Sequence, residues 1–196
     1  MRAVLIAALL MPLASLPAPA EEAREPASEV ARKSPAEARA ETLDSLFARL
    51  HQVKSEDEAK LAEQAIWQLW MRSDSPTAEL LLTQAAAAMN KAEFDASLAI
   101  LDRLVAVHPD FAEAWNKRAT LYFMMGRFEE SLADIDKVLD LEPRHFGALS
   151  GRGMIYRKEG KISDALAAFR DALAVNPSMG SVRDAVQELE KLEQPI

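Results

Sequence analysis

Large apolar residues recur every three or four positions along most of the chain, with polar residues between them. This spacing places the apolar side chains on one face of an α-helix. It predicts a pair of helices in residues 35–74 and further helices near 76–90, 93–107, 110–125, 128–141, 145–159, 162–175 and from 178 or 181 to about 193. Runs of Val and Ile are scarce, so the pattern indicates an all-α fold.

Several predicted helix starts carry a capping-box pattern, in which Ser or Asp is followed three residues later by Glu. The pairs are Ser34 with Glu37, Ser55 with Glu58, and Asp110 with Glu113. We expect each pair to satisfy backbone N–H groups at the start of its helix.

A two-helix unit repeats along the chain with a period of 34 residues. It is clearest in residues 112–145, where small residues at Ala119 and Ser131 permit close helix approach. Gly126 supplies the backbone freedom for a turn, and Pro143 ends the second helix. Matching prolines lie one period before and one period after, at positions 109 and 177.

This unit resembles the tetratricopeptide repeat family in its period and in the order of its large, small and turn residues. Gln84, Arg118 and Arg152 depart from the family pattern, because the family usually has Leu there, and Ala92 replaces the turn glycine. The resemblance implies an all-α, right-handed α-solenoid of helical hairpins with a C-terminal capping helix.

These patterns divide the chain into a signal peptide, a tether, a degenerate helical pair, three clear repeats and a C-terminal capping helix. We expect a signal peptide at 1–20, a disordered tether at 21–34, a degenerate helical pair at 35–77, repeats at 78–111, 112–145 and 146–179, and a capping helix and tail at 180–196. The tether has almost no large apolar residue, so it cannot bury enough surface to offset ordering. We expect the degenerate pair to stack on the first clear repeat.

Residues 1–20 have the layout of a cleavable secretory signal, with Arg2, an apolar run from Ala3 to Leu16, and small residues up to Ala20. The alternative is an uncleaved anchor, but the run is short and interrupted by prolines. The sequence therefore predicts a periplasmic or secreted protein with no stable membrane insertion after signal cleavage.

Composition and motifs favour binding over catalysis. The formal charge is −8 without a clustered basic face, which argues against nucleic acid as a partner. There is no cysteine, no recognisable catalytic or phosphate-binding motif and no metal-ligand motif, so we predict no enzyme activity, cofactor, metal or small-molecule substrate. The three histidines lie in different units, and we expect His108 and His145 to be solvated turn residues.

In the tetratricopeptide family the first helix of each repeat lines a concave groove. The resemblance implies that the following residues bind a protein or peptide partner: Leu82, Met89, Asn116, Thr120, Phe123, Met124, Met154, Arg157 and Lys158. Methionine adapts to varied ligand shapes, which suits such a surface. The alternative is that neighbouring helices or the tether cover some of these residues. Some family members clamp a terminal carboxylate with Lys and Asn, but the corresponding residues of the first repeat are Leu82 and Ala86.

Trp67 and Trp70 lie three residues apart on one predicted helix. They either seal the amino-terminal end of the solenoid core or form an exposed aromatic anchor for a partner. The prediction is a non-enzymatic periplasmic scaffold that binds protein in its groove. Alternatives are an adaptor of a cell-envelope machine, contacting partners through the tryptophan end or the convex face, and an unrecognised envelope enzyme.

Overall fold

The computed structural model describes residues 33–193, so the predicted signal peptide and nearly all of the predicted tether lie outside the described residues. Within this range the chain forms nine helices and no strand. The helices are α1 Pro35–Gln52, α2 Glu56–Trp70, α3 Pro76–Asn90, α4 Phe94–Val107, α5 Ala112–Met124, α6 Phe128–Leu141, α7 Phe146–Lys158, α8 Ile162–Val175 and α9 Gly180–Glu193. None of these helices is both long and apolar enough to cross a membrane.

Helices α3 to α8 form three successive hairpins of a right-handed solenoid, as the 34-residue period predicts. Within a hairpin, the paired helices approach closely at small residues. Ser131 is buried and its hydroxyl donates to the backbone oxygen of Ala119 at 2.7 Å, while Ser97 makes the same contact with Ala85 at 2.9 Å. The predicted contact between positions 119 and 131 is therefore confirmed.

The turns inside the three hairpins adopt the same left-handed backbone conformation. Gly126 and Gly160 have φ angles of 74° and 73°. Ala92 occupies the equivalent place in the first hairpin with a φ of 59°. A residue with a Cβ is strained in this conformation, so the first hairpin has a less favourable turn than the other two.

Arginines replace the family leucine in the second and third hairpins and link neighbouring helices. Arg118 of α5 donates to Asp134 of α6 and also to Asp102 of α4, at 2.8 Å in each case. Arg152 of α7 likewise donates to Asp136 of α6 at 2.5 Å. Asp102 and Asp136 each precede their arginine by 16 residues, so the same inter-repeat ion pair occurs twice.

Helices α1 and α2 form a separate hairpin, called the N-terminal hairpin below. Its own core contains Leu43, Phe47, Leu50 and Ile66. Of the capping boxes predicted for these helices, Ser34–Glu37 is confirmed, whereas Ser55 makes no side-chain cap hydrogen bond.

The structure differs from the prediction that this pair stacks on the first repeat. The hairpin packs extensively on neither α3 nor α4 and lies instead along the loops that join the repeats. Asp44 pairs with Arg144 at 2.6 Å, and His51 Nε2 lies 2.9 Å from the backbone oxygen of Ala174. Helix periodicity shows which face of a helix is apolar but not which surface covers it, so the sequence did not reveal this placement.

At the other end of the solenoid, α9 packs on α8. Val182, Val186 and Leu189 join the buried cluster that contains Leu166 and Phe169 of α8. The predicted C-terminal capping helix is therefore present, and it covers the apolar surface that a terminal repeat would otherwise expose.

Candidate functional site

A cleft of about 120 Å³ lies between α5 and α7, the first helices of the second and third repeats. It is lined by Asn116, Ala119, Thr120, Phe123, Ser131, Ile135, Gly147, Ala148, Ser150, Gly151 and Met154. We call it the α5–α7 cleft. Four of the predicted partner-binding residues, Asn116, Thr120, Phe123 and Met154, meet there.

Small residues on α7 keep the cleft open. Gly147, Ser150 and Gly151 face it, and a Cβ built on Gly151 would meet only Ile135 Cδ1, at the ordinary contact distance of 3.6 Å. Larger side chains at these places would fill the space between the two helices. The small residues in the segment that starts at Phe146 were therefore a sequence signal for the cleft.

The walls of the cleft combine apolar and hydrogen-bonding groups. Phe123 packs beside Phe128 with ring centroids 5.7 Å apart, and Met154 is 43% exposed. Thr120 is exposed, and its hydroxyl donates to the backbone oxygen of Asn116 at 2.9 Å. None of the side chains that line the cleft is acidic, basic or a histidine. The cleft therefore offers apolar packing and neutral hydrogen bonds.

Three of the predicted groove residues are buried: Asn116, which is 7% exposed beside the α5–α7 cleft, and two apolar residues of α3. Leu82 is 0% exposed and Met89 is 7% exposed, and both belong to the core cluster that includes Ala114 and Leu121 of α5. The reason is that α3 and α5 are neighbours along the solenoid, so apolar residues on the facing side of α3 pack against the next helix. The alternative of coverage by a neighbouring helix is correct for these two residues.

The other three predicted residues lie outside the α5–α7 cleft lining. Met124 is 49% exposed at the end of α5. Arg157 donates to Glu188 of α9 at 2.8 Å, and Lys158 is exposed at the end of α7. The structure therefore groups four of the nine predicted residues in one cleft.

A buried polar cluster adjoins the cleft. Glu113 and His145 are each 0% exposed, and Glu113 Oε2 lies 3.1 Å from His145 Nε2. The amide of Ala148 donates to His145 Nδ1 at 3.1 Å, so Nδ1 carries no proton and Nε2 donates to Glu113. The prediction that His145 is a solvated turn residue is wrong: it caps α7. The predicted Asp110–Glu113 capping box is also absent, because Phe111 caps α5 and Glu113 points inward.

Glu113 is held in its charged form by its neighbours. Asn116 Nδ2 donates to its Oε2 at 3.0 Å, and Lys117 Nζ lies 2.9 Å from its Oε1. Burial raises the pKa of Glu113, but the hydrogen bond from His145 and the charge of Lys117 together outweigh that effect and leave the pKa lowered. Asn116 therefore connects this cluster to the α5–α7 cleft.

Trp67 and Trp70 of the N-terminal hairpin cover the cluster. Trp70 is 7% exposed and stacks on His145, with ring centroids 4.0 Å apart and an interplanar angle of 13°. Trp67 meets His145 edge-on at 5.3 Å, and Lys117 Nζ lies 5.6 Å from the Trp67 ring centroid. The two tryptophans thus neither seal the amino-terminal end of the solenoid nor form an exposed anchor.

Gly147 is required where Trp67 crosses α7. A Cβ built on Gly147 would lie 2.7 Å from Trp67 Cη2 and 3.2 Å from His145 Cε1. The same glycine lines the α5–α7 cleft, so Trp67 lies next to one residue of that cleft.

Between residues 33 and 193, no group of three His, Asp or Glu side chains is arranged to hold a metal ion.

Comparison with known proteins places the repeats in a family. The tetratricopeptide repeat matches at residues 84–148 and again at 147–179. A TPR repeat-containing protein of Rhizobium etli is 40% identical over 84 residues, which cover 43% of this chain and 41% of that protein.

Solved structures share the fold at low sequence identity. The first TPR of Spaghetti (RPAP3) bound to the HSP90 peptide SRMEEVD is 18% identical, with a TM-score of 0.58 over 61% of this chain and 94% of that one. The Arabidopsis OM64 TPR domain is 19% identical, with a TM-score of 0.56 over 59% of this chain and 95% of that one. The second TPR domain of human RPAP3, in complex with the HSP70 peptide SGPTIEEVD, is 18% identical, with a TM-score of 0.52 over 55% and 90%. The repeat pattern, the three stacked hairpins and these matches agree, and the chain belongs to the tetratricopeptide repeat family.

Proposed function

We propose that this protein is a non-enzymatic scaffold that binds a protein or peptide segment in the α5–α7 cleft. The observation that carries the proposal is the meeting of Asn116, Thr120, Phe123 and Met154 in one open cleft on the first helices of neighbouring repeats. The partner is an extended or helical segment that places an apolar side chain between Phe123 and Met154.

The size of the cleft supports a side chain as the occupant. Its volume of about 120 Å³ is well below the roughly 300–1,000 Å³ of pockets that enclose a small-molecule ligand. Exposed Thr120 and half-buried Ser150 offer hydroxyl groups to the backbone of the bound segment. Met154 adapts its shape to the inserted side chain.

Relatives support peptide binding as the activity but not the same peptide. RPAP3 domains of similar fold hold HSP90 and HSP70 peptides that end in EEVD. In this chain Leu82 is fully buried and Ala86 has no polar group, so these two positions do not provide a clamp for a terminal carboxylate. The proposed ligand is therefore an internal apolar segment.

The neutral lining of the cleft supports a binding role, because catalysis of proton or group transfer uses convergent titratable groups. We place the scaffold in the periplasm on the basis of the predicted signal at residues 1–20. The adaptor alternative that used Trp67 and Trp70 as an exposed contact receives no support, because both side chains pack against His145.

Two methionines provide a matched test. Met154 and Met124 are 43% and 49% exposed, and both lie on first helices of repeats, but only Met154 lines the cleft. Affinity capture from a cross-linked cell-envelope extract is compared for the wild type, Met154→Glu and Met124→Glu. We expect a partner that the wild type and Met124→Glu retain and Met154→Glu loses, with helical circular dichroism unchanged in all three.

Loss of the partner with both variants would place the contact outside the cleft, at the exposed end of α5. Retention of the partner with Met154→Glu would contradict binding in the cleft. Absence of a partner from all three proteins, together with turnover of an envelope component by the purified wild type, would contradict the non-enzymatic role.

A further inference from the structure

The N-terminal hairpin covers a surface on the repeats that is complete without it. Glu113, the buried charge of this surface, has His145, Asn116 and Lys117 as its partners, and all three belong to α5 or the start of α7. Removal of the hairpin would therefore leave no buried charge without a partner on the repeats.

The N-terminal hairpin contacts this surface through two aromatic side chains. Trp70 stacks on His145 and lies 5.0 Å from Phe146, measured between ring centroids. Trp67 meets Phe146 at 5.5 Å and fits over Gly147, which has no Cβ to obstruct it. The surface thus recognises two aromatic side chains three residues apart on one helix.

Acidic side chains of the hairpin surround the aromatic contact. Asp44 pairs with Arg144, and Glu63 accepts from Asn176 Nδ2 at 3.3 Å. Lys117, which faces Trp67, adds a further positive charge to the repeat side. Asp44 belongs to α1 and Glu63 to α2, and the first turn of α2 carries three further acidic residues, so the surface suits an amphipathic helix of acidic character.

Three features of the docked N-terminal hairpin favour its displacement by another helix. The Asp44 and Arg144 side chains are 66% and 39% exposed, and surface pairs of this kind stabilise little. Trp70 Nε1 is buried without a hydrogen-bond partner, which penalises the docked state. In addition, a cavity of about 280 Å³ remains between the hairpin and the starts of α3 and α5, lined by Leu43 and Trp70 on one side and Phe111 on the other.

From these contacts we infer that the surface formed by Lys117, Arg144, His145, Phe146 and Gly147 is a second docking site, which adjoins the α5–α7 cleft and shares only Gly147 with its lining. It takes an acidic helix that presents two aromatic side chains three residues apart. In the structure described, helix α2 occupies the aromatic part of this surface and Asp44 of α1 pairs with its Arg144, and a partner helix that presents two aromatic side chains and carboxylates displaces the N-terminal hairpin.

The probe for this site is a fluorescein-labelled synthetic peptide with the sequence of residues 34–71. Its binding is measured by fluorescence anisotropy to the full chain and to the full-chain Trp67→Ala/Trp70→Ala variant. Because the tethered hairpin competes with the probe at a high effective concentration, we expect at least about tenfold tighter binding to the variant than to the wild type. A probe with both tryptophans changed to alanine is expected not to bind.

A second variant tests the same site with both tryptophans present. Asp44→Ala/His51→Ala removes exposed contacts at the rim of the hairpin, and we expect it to tighten probe binding relative to the wild type, but by less than the tryptophan variant does. On the repeat side, Gly147→Ala added to the tryptophan variant should weaken probe binding, since a Cβ there meets the incoming indole. Gly151→Ala on the same helix is the matched control and should leave binding unchanged.

The inference is overturned if the probe binds the wild type and the opened variants equally, if the tryptophan-free probe binds as well, or if Gly147→Ala and Gly151→Ala behave alike. The inference is also overturned if neither the tryptophan variant nor Asp44→Ala/His51→Ala binds the probe while the helical circular dichroism of both is intact. Sedimentation of the wild type adds a further test: a dimer that the tryptophan variant loses would make a second copy the occupant instead of a partner helix. The Met154→Glu experiment is not part of these comparisons, so the proposal for the α5–α7 cleft and the proposal for the second docking site are tested independently.

Discussion

Arg118 and Asp134 form a two-pronged ion pair across the second repeat, in which Nε and Nη2 of the arginine each donate to a different carboxylate oxygen at 2.8 Å. The aspartate side chain is only 5% exposed, and the arginine is 16% exposed. The hydrogen bonds to Asp134 raise the pKa of Arg118, so the guanidinium stays charged at any ordinary pH. Arg118, which replaces the family leucine, thus joins α5 to α6 through a largely buried ion pair.

Restoring the family residue by Arg118→Leu is expected to destabilise the protein. The change leaves the Asp134 carboxylate buried without its partner, which costs about 3 to 5 kcal/mol in the free energy of unfolding. Urea denaturation followed by circular dichroism measures this loss.

Arg152→Leu is the matched control for this prediction, because Arg152 has the same place in the next repeat. Its partner Asp136 is 69% exposed, so we expect a loss within about 1 kcal/mol. The double variant Arg118→Leu/Asp134→Leu should recover most of the stability. Equal effects of the two arginine changes would show that burial of the aspartate is not the cause.

Glu113→Gln is expected to lower the free energy of unfolding by about 1.5 to 3 kcal/mol at neutral pH, because the amide cannot replace the charge-assisted contacts to Lys117 and His145. The folded state lowers the pKa of Glu113 below its ordinary value of 4.5. Its stabilisation is therefore fully present above that ordinary value and is lost as the pH falls through the lowered pKa.

The measurement for Glu113 is a series of urea midpoints from neutral to acidic pH. The wild type and Glu113→Gln should converge as the pH falls, because protonation removes the charge from the wild type too. The exposed Glu129→Gln serves as control and should follow the wild type throughout. A constant difference between wild type and Glu113→Gln at every pH would contradict this linkage.

Docking of the N-terminal hairpin should weaken as the pH rises through the pKa of His51. Its two ring nitrogens each lie 2.9 Å from a backbone oxygen, of Phe47 and of Ala174, and only the protonated ring donates to both. These two hydrogen bonds raise the pKa of His51 above its ordinary value of 6.5. The stabilisation is present below 6.5 and is lost as the pH passes the raised pKa, and it is small because His51 is exposed.

A Trp115→Phe background leaves Trp67 and Trp70 as the fluorescent indoles of the hairpin. Their emission is expected to shift slightly toward that of exposed tryptophan as the pH rises from 6.5 through the raised pKa of His51. His51→Gln should remove the pH dependence. A shift of the same size in His51→Gln would assign it to another group.

Gly153→Ala is expected to destabilise the third repeat by about 1 to 3 kcal/mol through overpacking. A Cβ on Gly153 would lie 2.5 Å from Phe169 Cδ1, and Phe169 is itself 2% exposed. Gly151→Ala, two residues earlier, meets no such obstacle and should raise stability by about 0.5 to 1 kcal/mol through helix propensity. Thermal denaturation distinguishes the two, and a gain in stability for both would contradict the tight contact with Phe169.

The three-and-four spacing of apolar residues and the recurring prolines predicted most of this fold. The boundaries of α3, α6 and α8 agree with the prediction, and those of α5 are displaced by two residues at its start. These features are local, because a helix and its turn are set by residues close in sequence. The family resemblance predicted that Thr120, Phe123 and Met154 face a groove, and the structure brings these three residues together in the α5–α7 cleft, while their role in binding stays a prediction.

Contacts between distant residues were not predictable in this way. Glu113 and His145 are separated by 32 residues, and nothing local indicates that they meet in a buried pair. Leu82 was equally ambiguous, since a leucine facing a groove and a leucine facing the next helix have the same place in the repeat. The path of the N-terminal hairpin depends on contacts between Trp70 and a loop that lies beyond two intervening hairpins.

The N-terminal hairpin is fixed to the solenoid at points far apart along its length. Arg39 holds Asp74 before α3, Asp44 holds Arg144 before α7, and His51 contacts Ala174 at the end of α8. A stack of helical hairpins bends and twists by small rotations between neighbouring units. Because the docked N-terminal hairpin contacts units that are far apart in the stack, it favours one relative orientation of those units. Its displacement would therefore free the stack to change the curvature of the surface that a partner meets.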